Sequence, residues 1–280
     1  MKTKEELAAE QATYWNGTGG QMWLGAYDRI QRGIQGFGEV TLDAANARPG
    51  ERVLEIGCGT GGTTAALARA VGAGGHVLGV DISETLIEAA RAQGLANARF
   101  EVGDATIFRF EAQSFDLVFS RFGVMFFGDP VAAFTNMRHA LKPGGRLVFI
   151  CWRTPAENPW AGVPMRAAQP FLPPMERPGP EEPGQYSFGD RARVERILTQ
   201  AGFTGLSIEP VDQMLNQGRD IPAVMKNIGD FGPLARAFKN VEPEQIAKAK
   251  DAIAEALKPY ATPDGVKLAG ACWLVRAQSA

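Results

Sequence analysis

With 280 residues, 45% hydrophobic and 21% charged, the chain has the composition of a globular protein, long enough for one large domain or two small ones. Its 29 Lys and Arg balance 31 Asp and Glu to a formal net charge of −2, and the absence of a dense basic cluster argues against a nucleic-acid partner. Nothing approaches the ~20 apolar residues of a membrane span, and the polar start from Met1 to Gln11 is unlike a secretory signal, so a cytoplasmic protein is expected.

In chain order, residues 3–13 suit a short charged helix, and Tyr14, Trp15, Trp23 and Tyr27 form an aromatic group ahead of a helix over 38–47. Arg48-Pro49-Gly50 stops that helix. Strands and helices then alternate. Arg52 to Ile56 reads as a strand, Gly61 to Val71 as an alanine-rich helix, and His76 to Val80 as a second strand. Ser83 is placed to cap a helix running to Gln93, with Gly94 as its stop. Arg99 to Val102 and Phe115 to Phe119 follow as strands. Asp129-Pro130 opens a helix reaching Leu141, and Lys142-Pro143-Gly144-Gly145 turns into a fifth strand, Arg146 to Ile150. This alternation points to a parallel, doubly wound α/β sheet.

Beyond Trp152 the texture changes. Residues 154–187 are dense in proline and too long for a plain connection, which favours a functional lid or insert. Asp190 heads a helix to Gln200. Gly205 to Glu209 reads as a sixth strand closed by Pro210, residues 219–258 as helical, and Val266 to Arg276 as a last strand. Cys58, Cys151 and Cys272 form no C-x-x-C pair, so neither zinc nor any other metal is expected, nor a disulfide framework. Buried free thiols are the plain expectation.

The chemistry concentrates at the strand ends. Val53-Leu54-Glu55-Ile56-Gly57-Cys58-Gly59-Thr60-Gly61-Gly62 is a strand, an acid and a glycine turn that lets backbone approach a ligand closely. Gly57, Gly59 and Gly62 equally satisfy the G-x-G-x-x-G of dinucleotide-binding folds. Asp81 ends the second strand, where its two oxygens can each accept from a ribose hydroxyl. Asp104 ends the third, where it can accept from an adenine amine. Three carboxylates in succession repel a pyrophosphate and tolerate a nucleoside carrying a sulfonium and an amino group. The plainer reading of any one acid is a helix cap.

Taken with Val80-Asp81-Ile82-Ser83, Gly103-Asp104-Ala105, Phe115-Asp116-Leu117-Val118 and Leu141-Lys142-Pro143-Gly144-Gly145, this set resembles the class I S-adenosylmethionine-dependent methyltransferases, in particular the small-molecule branch with the ubiquinone/menaquinone-type enzymes. The resemblance is good over 38–152 and consistent over 190–209 and 266–276. It implies a seven-stranded Rossmann-like sheet, mostly parallel with an antiparallel last strand, plus helical lid insertions. It also implies one methyltransferase domain over 1–280, with core at about 38–152, 190–212 and 264–277 and lids at about 1–30, 153–189 and 213–262. S-adenosyl-L-methionine is the implied cofactor. Gly57 and Gly59 match the glycines under its methionine part, and Glu55 the acid organising the amino end. Asp81 matches the ribose acid, Ile82 the adenine face, Asp104 and Ala105 the adenine edge. Ser120 and Arg121 match the segment whose backbone holds the amine. Cys58 and Thr60 fall at variable positions of the family's turn.

The aromatic N-terminus either packs on the core or forms a lid in which Tyr14 and Trp23 face the cofactor, with cation–π attraction of ~0.5–2 kcal/mol to a sulfonium. Arg29 is a candidate partner for the methionine carboxylate. Neither His76 nor His139 is placed near the strand ends, which leaves Tyr14, Asp28, Glu157 and Tyr186 as weak candidates for a catalytic base. Methyl transfer then rests mainly on proximity and desolvation. Phe122, Met125, Phe126, Phe127, Trp152, Trp160, Met165, Phe171, Met214 and Met225 are candidates for an apolar acceptor pocket, which suits a small hydrophobic or aromatic molecule methylated at O, N or C. A homodimer stays open. The competing readings are an NAD-type oxidoreductase, opposed by Glu55, Asp104 and the lack of a Tyr-x-x-x-Lys pair, and a non-methylating protein that binds the same cofactor for a structural or rearrangement role.

Overall fold

A computed structural model describes residues 2–174, 179, 181–230, 232–239 and 241–279. The described strands are β1 (Arg52–Ile56), β2 (His76–Asp81), β3 (Ala98–Val102), β4 (Phe115–Arg121), β5 (Leu141–Trp152), β6 (Phe203–Gly218), β7 (Ala261–Thr262) and β8 (Gly265–Ser279). The helices are α1 (Lys4–Asn16), α2 (Thr18–Ala45), α3 (Gly62–Val71), α4 (Glu84–Arg91), α5 (Pro130–Ala140), α6 (Pro159–Ala168), α7 (Arg191–Gln200), α8 (Ile221–Asn227), α9 (Gly232–Ala237) and α10 (Pro243–Leu257).

The sheet runs β3-β2-β1-β4-β5-β8-β6, with the two-residue β7 pairing off this path onto β8. Pairings from β3 to β5 are parallel, and β8 is antiparallel to both β5 and β6. This is the expected doubly wound sheet with an antiparallel last strand, extended by the small β7–β8 hairpin. Strand order reverses between β1 and β4, which opens a crevice at their carboxyl ends.

Both faces of the sheet are covered. On one, Val53, Val77, Leu117, Phe119 and Val148 pack against Leu67, Ala68 and Val71 of α3 and Ala45 of α2. On the other, Leu54, Val118, Leu147 and Phe149 pack against Phe134 and Met137 of α5 and Val194, Ile197 and Leu198 of α7. Each large apolar side chain buried this way contributes ~1.5–3 kcal/mol.

Several elements differ from the expectations, among them β5, which starts at Leu141 and runs through the expected turn at 142–145. Helix α2 starts at residue 18 rather than 38, despite six glycines in its sequence. Its stripe Ala26, Ile30, Ile34, Phe37, Thr41 and Ala45 recurs at helical spacing and packs inward, which outweighs a propensity loss of ~1 kcal/mol per glycine. Pro210 does not close β6, which continues to Gly218. β6 is an edge strand, and half the N–H groups of an edge face no neighbour, so a residue lacking one is tolerated. The proline-rich insert contains α6, with Pro164 inside it; its residues 175–178 and 180 lie outside the described residues.

Helices α6, α8, α9 and α10 form a cap with a core of its own. Val163, Val224, Leu234, Ala249, Ile253 and Leu257 meet Val266 and Leu268 from the far end of β8.

Candidate active site

A cavity of about 380 Å³ lies beyond the carboxyl ends of β1–β5. The strands deliver Ile56, Asp81, Asp104, Arg121 and Trp152 to it, α1 and α2 cover it with Trp15, Trp23, Ile30 and Ile34, and the cap closes it with Met165, Val224 and Leu234.

The glycine turn is its floor. Gly57 and Gly59 have φ of 67° and 56°, a region costly for residues with a Cβ. A Cβ on Gly57 would also stand 2.8 Å from the Cα of Gly123, so two loops pass in direct backbone contact. Glu55, two residues before Gly57, is fully buried and points to the α3 face. Its carboxylate accepts from the Thr63 hydroxyl and, at 2.5 Å, from that of Thr64. Desolvation pushes its pKa up from 4.5 to about 7, against the pull of the two threonines and of Arg121. The structure therefore sets Glu55 beneath the turn and not in the cavity wall.

Asp81 does line the wall. Its Oδ2 accepts from the Gly59 amide at 2.8 Å and its Oδ1 from the Ser83 amide at 3.0 Å. One acceptor site on each oxygen remains for a further donor. Desolvation raises its pKa, opposed by these amides. Asp104 holds the Thr106 amide at 2.8 Å and lines the cavity beside Gly103 and Ala105, and Ile82 lies close by.

The α1–α2 junction is tied down over these acids. Ser83 Oγ donates to the Trp15 carbonyl at 2.8 Å. Asn16 donates to the Ile82 carbonyl at 3.0 Å and accepts from the Glu84 amide at 2.9 Å. Trp15 meets Trp23 and Phe126 edge-on. On the opposite wall, Phe122 and Trp152 stack at 4.6 Å with 15° between planes, and Trp160 follows at 4.9 Å.

Several candidate residues lie elsewhere. Tyr14 is outside the cavity wall, its ring edge-on to Trp15 and beneath the Arg236 guanidinium at 5.5 Å. Asp28 is exposed in a separate surface groove. Glu157 is taken up by Arg153 and by Thr154, whose hydroxyl donates to it at 2.7 Å. Tyr186 packs against the main core, and burial raises its phenol. None of these four lines the cavity. Arg29 lines it but already pairs with Asp230 at 3.2 Å. Ser120 is fully buried and donates to the Ile56 carbonyl at 2.7 Å, bracing β1 against β4.

Of the apolar candidates, Phe122, Met125, Phe126, Phe127, Trp152, Trp160 and Met165 reach the wall. Phe171 and Met225 pack in the cap instead. Met214 is 61% exposed, because Leu215 takes the inward face of β6, and alternation along a strand sends neighbours to opposite sides. The sequence reading missed Ile30, Ile34 and Leu215, together with Gln185, Asn216, Gln217 and Asn227. The helical repeat of Ile30, Ile34 and Phe37 carried the signal for the first two.

Comparison with known proteins agrees with this geometry. A methyltransferase domain family matches residues 53–145. Demethylmenaquinone methyltransferase of Beutenbergia cavernae is 33% identical over 174 residues, 59% of this chain and 71% of that protein. The chain belongs to the class I S-adenosylmethionine-dependent methyltransferases. Aklanonic acid methyltransferase of Streptomyces sp. (strain C5) is 37% identical over 159 residues, 54% of this methyltransferase and 67% of that one. Geranyl diphosphate C-methyltransferase of Streptomyces coelicolor, solved with S-adenosyl-L-homocysteine, shares the fold at a TM-score of 0.51 and 18% identity, covering 88% of this chain and 79% of that one. The enzyme uses S-adenosylmethionine on a small molecule. With relatives named as methyltransferases, the non-methylating reading is not favoured. Among the described residues no helix is long and apolar enough to cross a membrane.

Proposed function

We propose that the enzyme methylates a small, largely apolar and aromatic acceptor held between the cap and the Phe122–Trp152–Trp160 wall. The observation that carries this is the division of the cavity. Its β2–β3 end presents Asp81 and Asp104, whereas its β5 and cap end presents aromatic and aliphatic side chains with neutral amides.

The residues fit S-adenosylmethionine. Asp81 has one free acceptor site on each oxygen, which suits two vicinal ribose hydroxyls. Asp104 and the backbone near Ala105 would read the adenine edge, with Ile82 on the ring face. Gly57, Gly59 and Gly123 keep side chains out of the way of the methionine part, and Trp15 and Trp23 would cover it. When bound, this cofactor supplies a methyl group already activated by a sulfonium. Glu55 supports the turn from below through Thr63 and Thr64.

What remains for the chain is alignment and drying. No histidine lines the cavity, and the acids that do belong to the nucleoside end. The stacked wall orients a planar acceptor, and the α1–α2 cover and the cap exclude water, so proximity and desolvation are the main contributions.

Isothermal titration with S-adenosylhomocysteine tests this, with NADH as control. Binding of the first alone, lost in Asp81→Ala, is expected. NADH binding, or full S-adenosylhomocysteine affinity in Asp81→Ala, would refute the assignment. A panel of aromatic and aliphatic acceptors with labelled methyl donor then tests the acceptor class.

A further inference from the structure

The residues that β6 and the cap bring to the cavity are apolar except for amides, and two of these amides are turned the same way. Strand β6 is bulged between Asn216 and Gly218, which leaves Gln217 opposite no residue of β8. A bulge re-aims a side chain, and that of Gln217 joins the cavity wall. Its Nε2 donates to the Leu215 carbonyl at 3.5 Å. Asn227 ends α8 three residues after Val224, on the same helical face, and both line the cavity. Its Nδ2 donates back to the Ala223 carbonyl at 3.4 Å. The two amides belong to one corner, because a Cβ on Gly218 would stand 3.0 Å from Val224 Cγ2.

An amide nitrogen can donate to a backbone carbonyl and an amide oxygen cannot, so these bonds fix which atom is left over. Gln217 Oε1 and Asn227 Oδ1 receive no hydrogen bond from any described residue. Asn216 is the contrast. Its Nδ2 donates to the Asp264 carbonyl at 3.3 Å and its Oδ1 accepts from the Gly218 amide at 3.0 Å, so both of its polar groups are engaged. An amide oxygen facing bulk water is satisfied, whereas one dried by an apolar ligand is not. An acceptor that fills this corner therefore either supplies a donor to the two oxygens or binds against their desolvation.

We propose that Gln217 and Asn227 select the methyl acceptor by a neutral hydrogen-bond donor, a hydroxyl or N–H group seated against their side-chain oxygens at the β6–α8 corner. Both are positioning residues: an amide oxygen accepts a hydrogen bond without taking the proton, so the pair fixes how the ring lies against Phe122 and Trp152 and leaves the chemistry to alignment. This inference rests on the proposed acceptor end of the cavity and adds the group by which an acceptor is recognised there.

The test titrates the S-adenosylhomocysteine complex with 1- and 2-naphthol, with the two naphthylamines, and with the fluoronaphthalenes that match them in shape and carry no donor. The wild type is expected to prefer a donor-bearing probe ~10- to 100-fold over its fluoro counterpart. A preference confined to the naphthols assigns the donor as O–H, one confined to the naphthylamines as N–H, and one in both arms admits either. In the double variant Gln217→Met with Asn227→Leu the preference falls to within about threefold, through weaker binding of the donor-bearing probes alone. Affinities for the fluoronaphthalenes and for S-adenosylhomocysteine stay unchanged, which reports an intact fold and separates recognition from a merely structural role. Gln217→Glu with Asn227→Asp keeps an oxygen at both positions and keeps the preference. If the double variant does not fold, Asn227→Leu alone replaces it, with a smaller loss expected. No preference in the wild type, or a preference that survives removal of both oxygens, overturns the proposal. A wild type that binds S-adenosylhomocysteine and no naphthalene at all defeats the aromatic acceptor class and this inference with it, a separate outcome.

Discussion

Glu55→Gln gives a direct test of how the glycine turn is supported. The Glu55 carboxyl is fully buried, with a pKa raised from 4.5 to about 7 by desolvation. Between those values the folded chain holds the proton and the unfolded chain has released it, so stability falls as pH rises. At 1.36 kcal/mol per pKa unit, moving from pH 5 to pH 8 removes about 2.5 kcal/mol through this one group. Glutamine keeps the shape and can still meet the Thr63 and Thr64 hydroxyls, but it does not titrate. Urea unfolding of both proteins at pH 5 and pH 8 isolates the term, because every other titrating group is common to both. The wild type is expected to lose about 2.5 kcal/mol more than Glu55→Gln across that interval. Equal losses in the two proteins would show that the site beneath the turn is wet or that Glu55 is ionised throughout, and the argument from burial would fail.

The register of β6 makes neighbouring residues unequal: Leu215→Ala should cost ~2–5 kcal/mol in urea unfolding and Met214→Ala less than ~0.5, since one is buried against the core and the other is 61% exposed. Gly123→Ala places a Cβ 2.9 Å from both the Gly57 Cα and the Ile56 carbonyl oxygen. A loss of ~1–3 kcal/mol is expected, with weaker S-adenosylhomocysteine binding in the same titration because the turn must shift. Tyr14→Phe, Asp28→Asn, Glu157→Gln and Tyr186→Phe should each leave single-turnover methyl transfer within about threefold of wild type, well below the ~100-fold that removal of a general base costs. Any one of them abolishing transfer with ligand affinities intact would identify a base and refute catalysis by proximity.

The β1–β3 end of the cavity was readable from sequence because its parts are local. A short apolar strand, an acid and a glycine turn specify β1 and the start of α3 within ten residues, and β1 begins and ends where the alternation placed it. Asp81 and Asp104 follow from strand ends alone. The β5 and cap end was less legible because its wall is assembled from distant segments. Ile30, Trp152, Leu215 and Leu257 meet only after the cap folds over the sheet. Helix α2 extends well ahead of the expected 38–47, through six glycines that weaken the local helix signal, and at one of them, Gly38, the missing Cβ lets the helix pass close to Arg121. Tyr14 illustrates a different failure. Composition groups it with Trp15 and Trp23, but helical geometry turns it to the outside of α1, where Arg236 covers it.

The charges around the cavity follow from the reaction. The donor arrives carrying a positive sulfonium and leaves neutral, so a fixed anion touching the sulfur would hold the substrate better than the transition state and slow the step. The acids here stand apart from that need. Asp81 and Asp104 sit at the β2–β3 end of the cavity, and in the proposed placement they meet only the hydroxyls and amine of a nucleoside. Glu55 is withdrawn beneath the turn, where two hydroxyls and desolvation hold its proton affinity near neutrality. The opposite wall, toward the proposed acceptor position, carries Phe122, Trp152 and Trp160, whose faces have only a quadrupole. Such faces attract a cation at short range, yet they need no counter-charge once the sulfur becomes neutral. A cavity with acids at one end, aromatic rings at the other and neutral amides on the cap can therefore bind both partners and dry the space between them without stabilising the charge that the reaction removes.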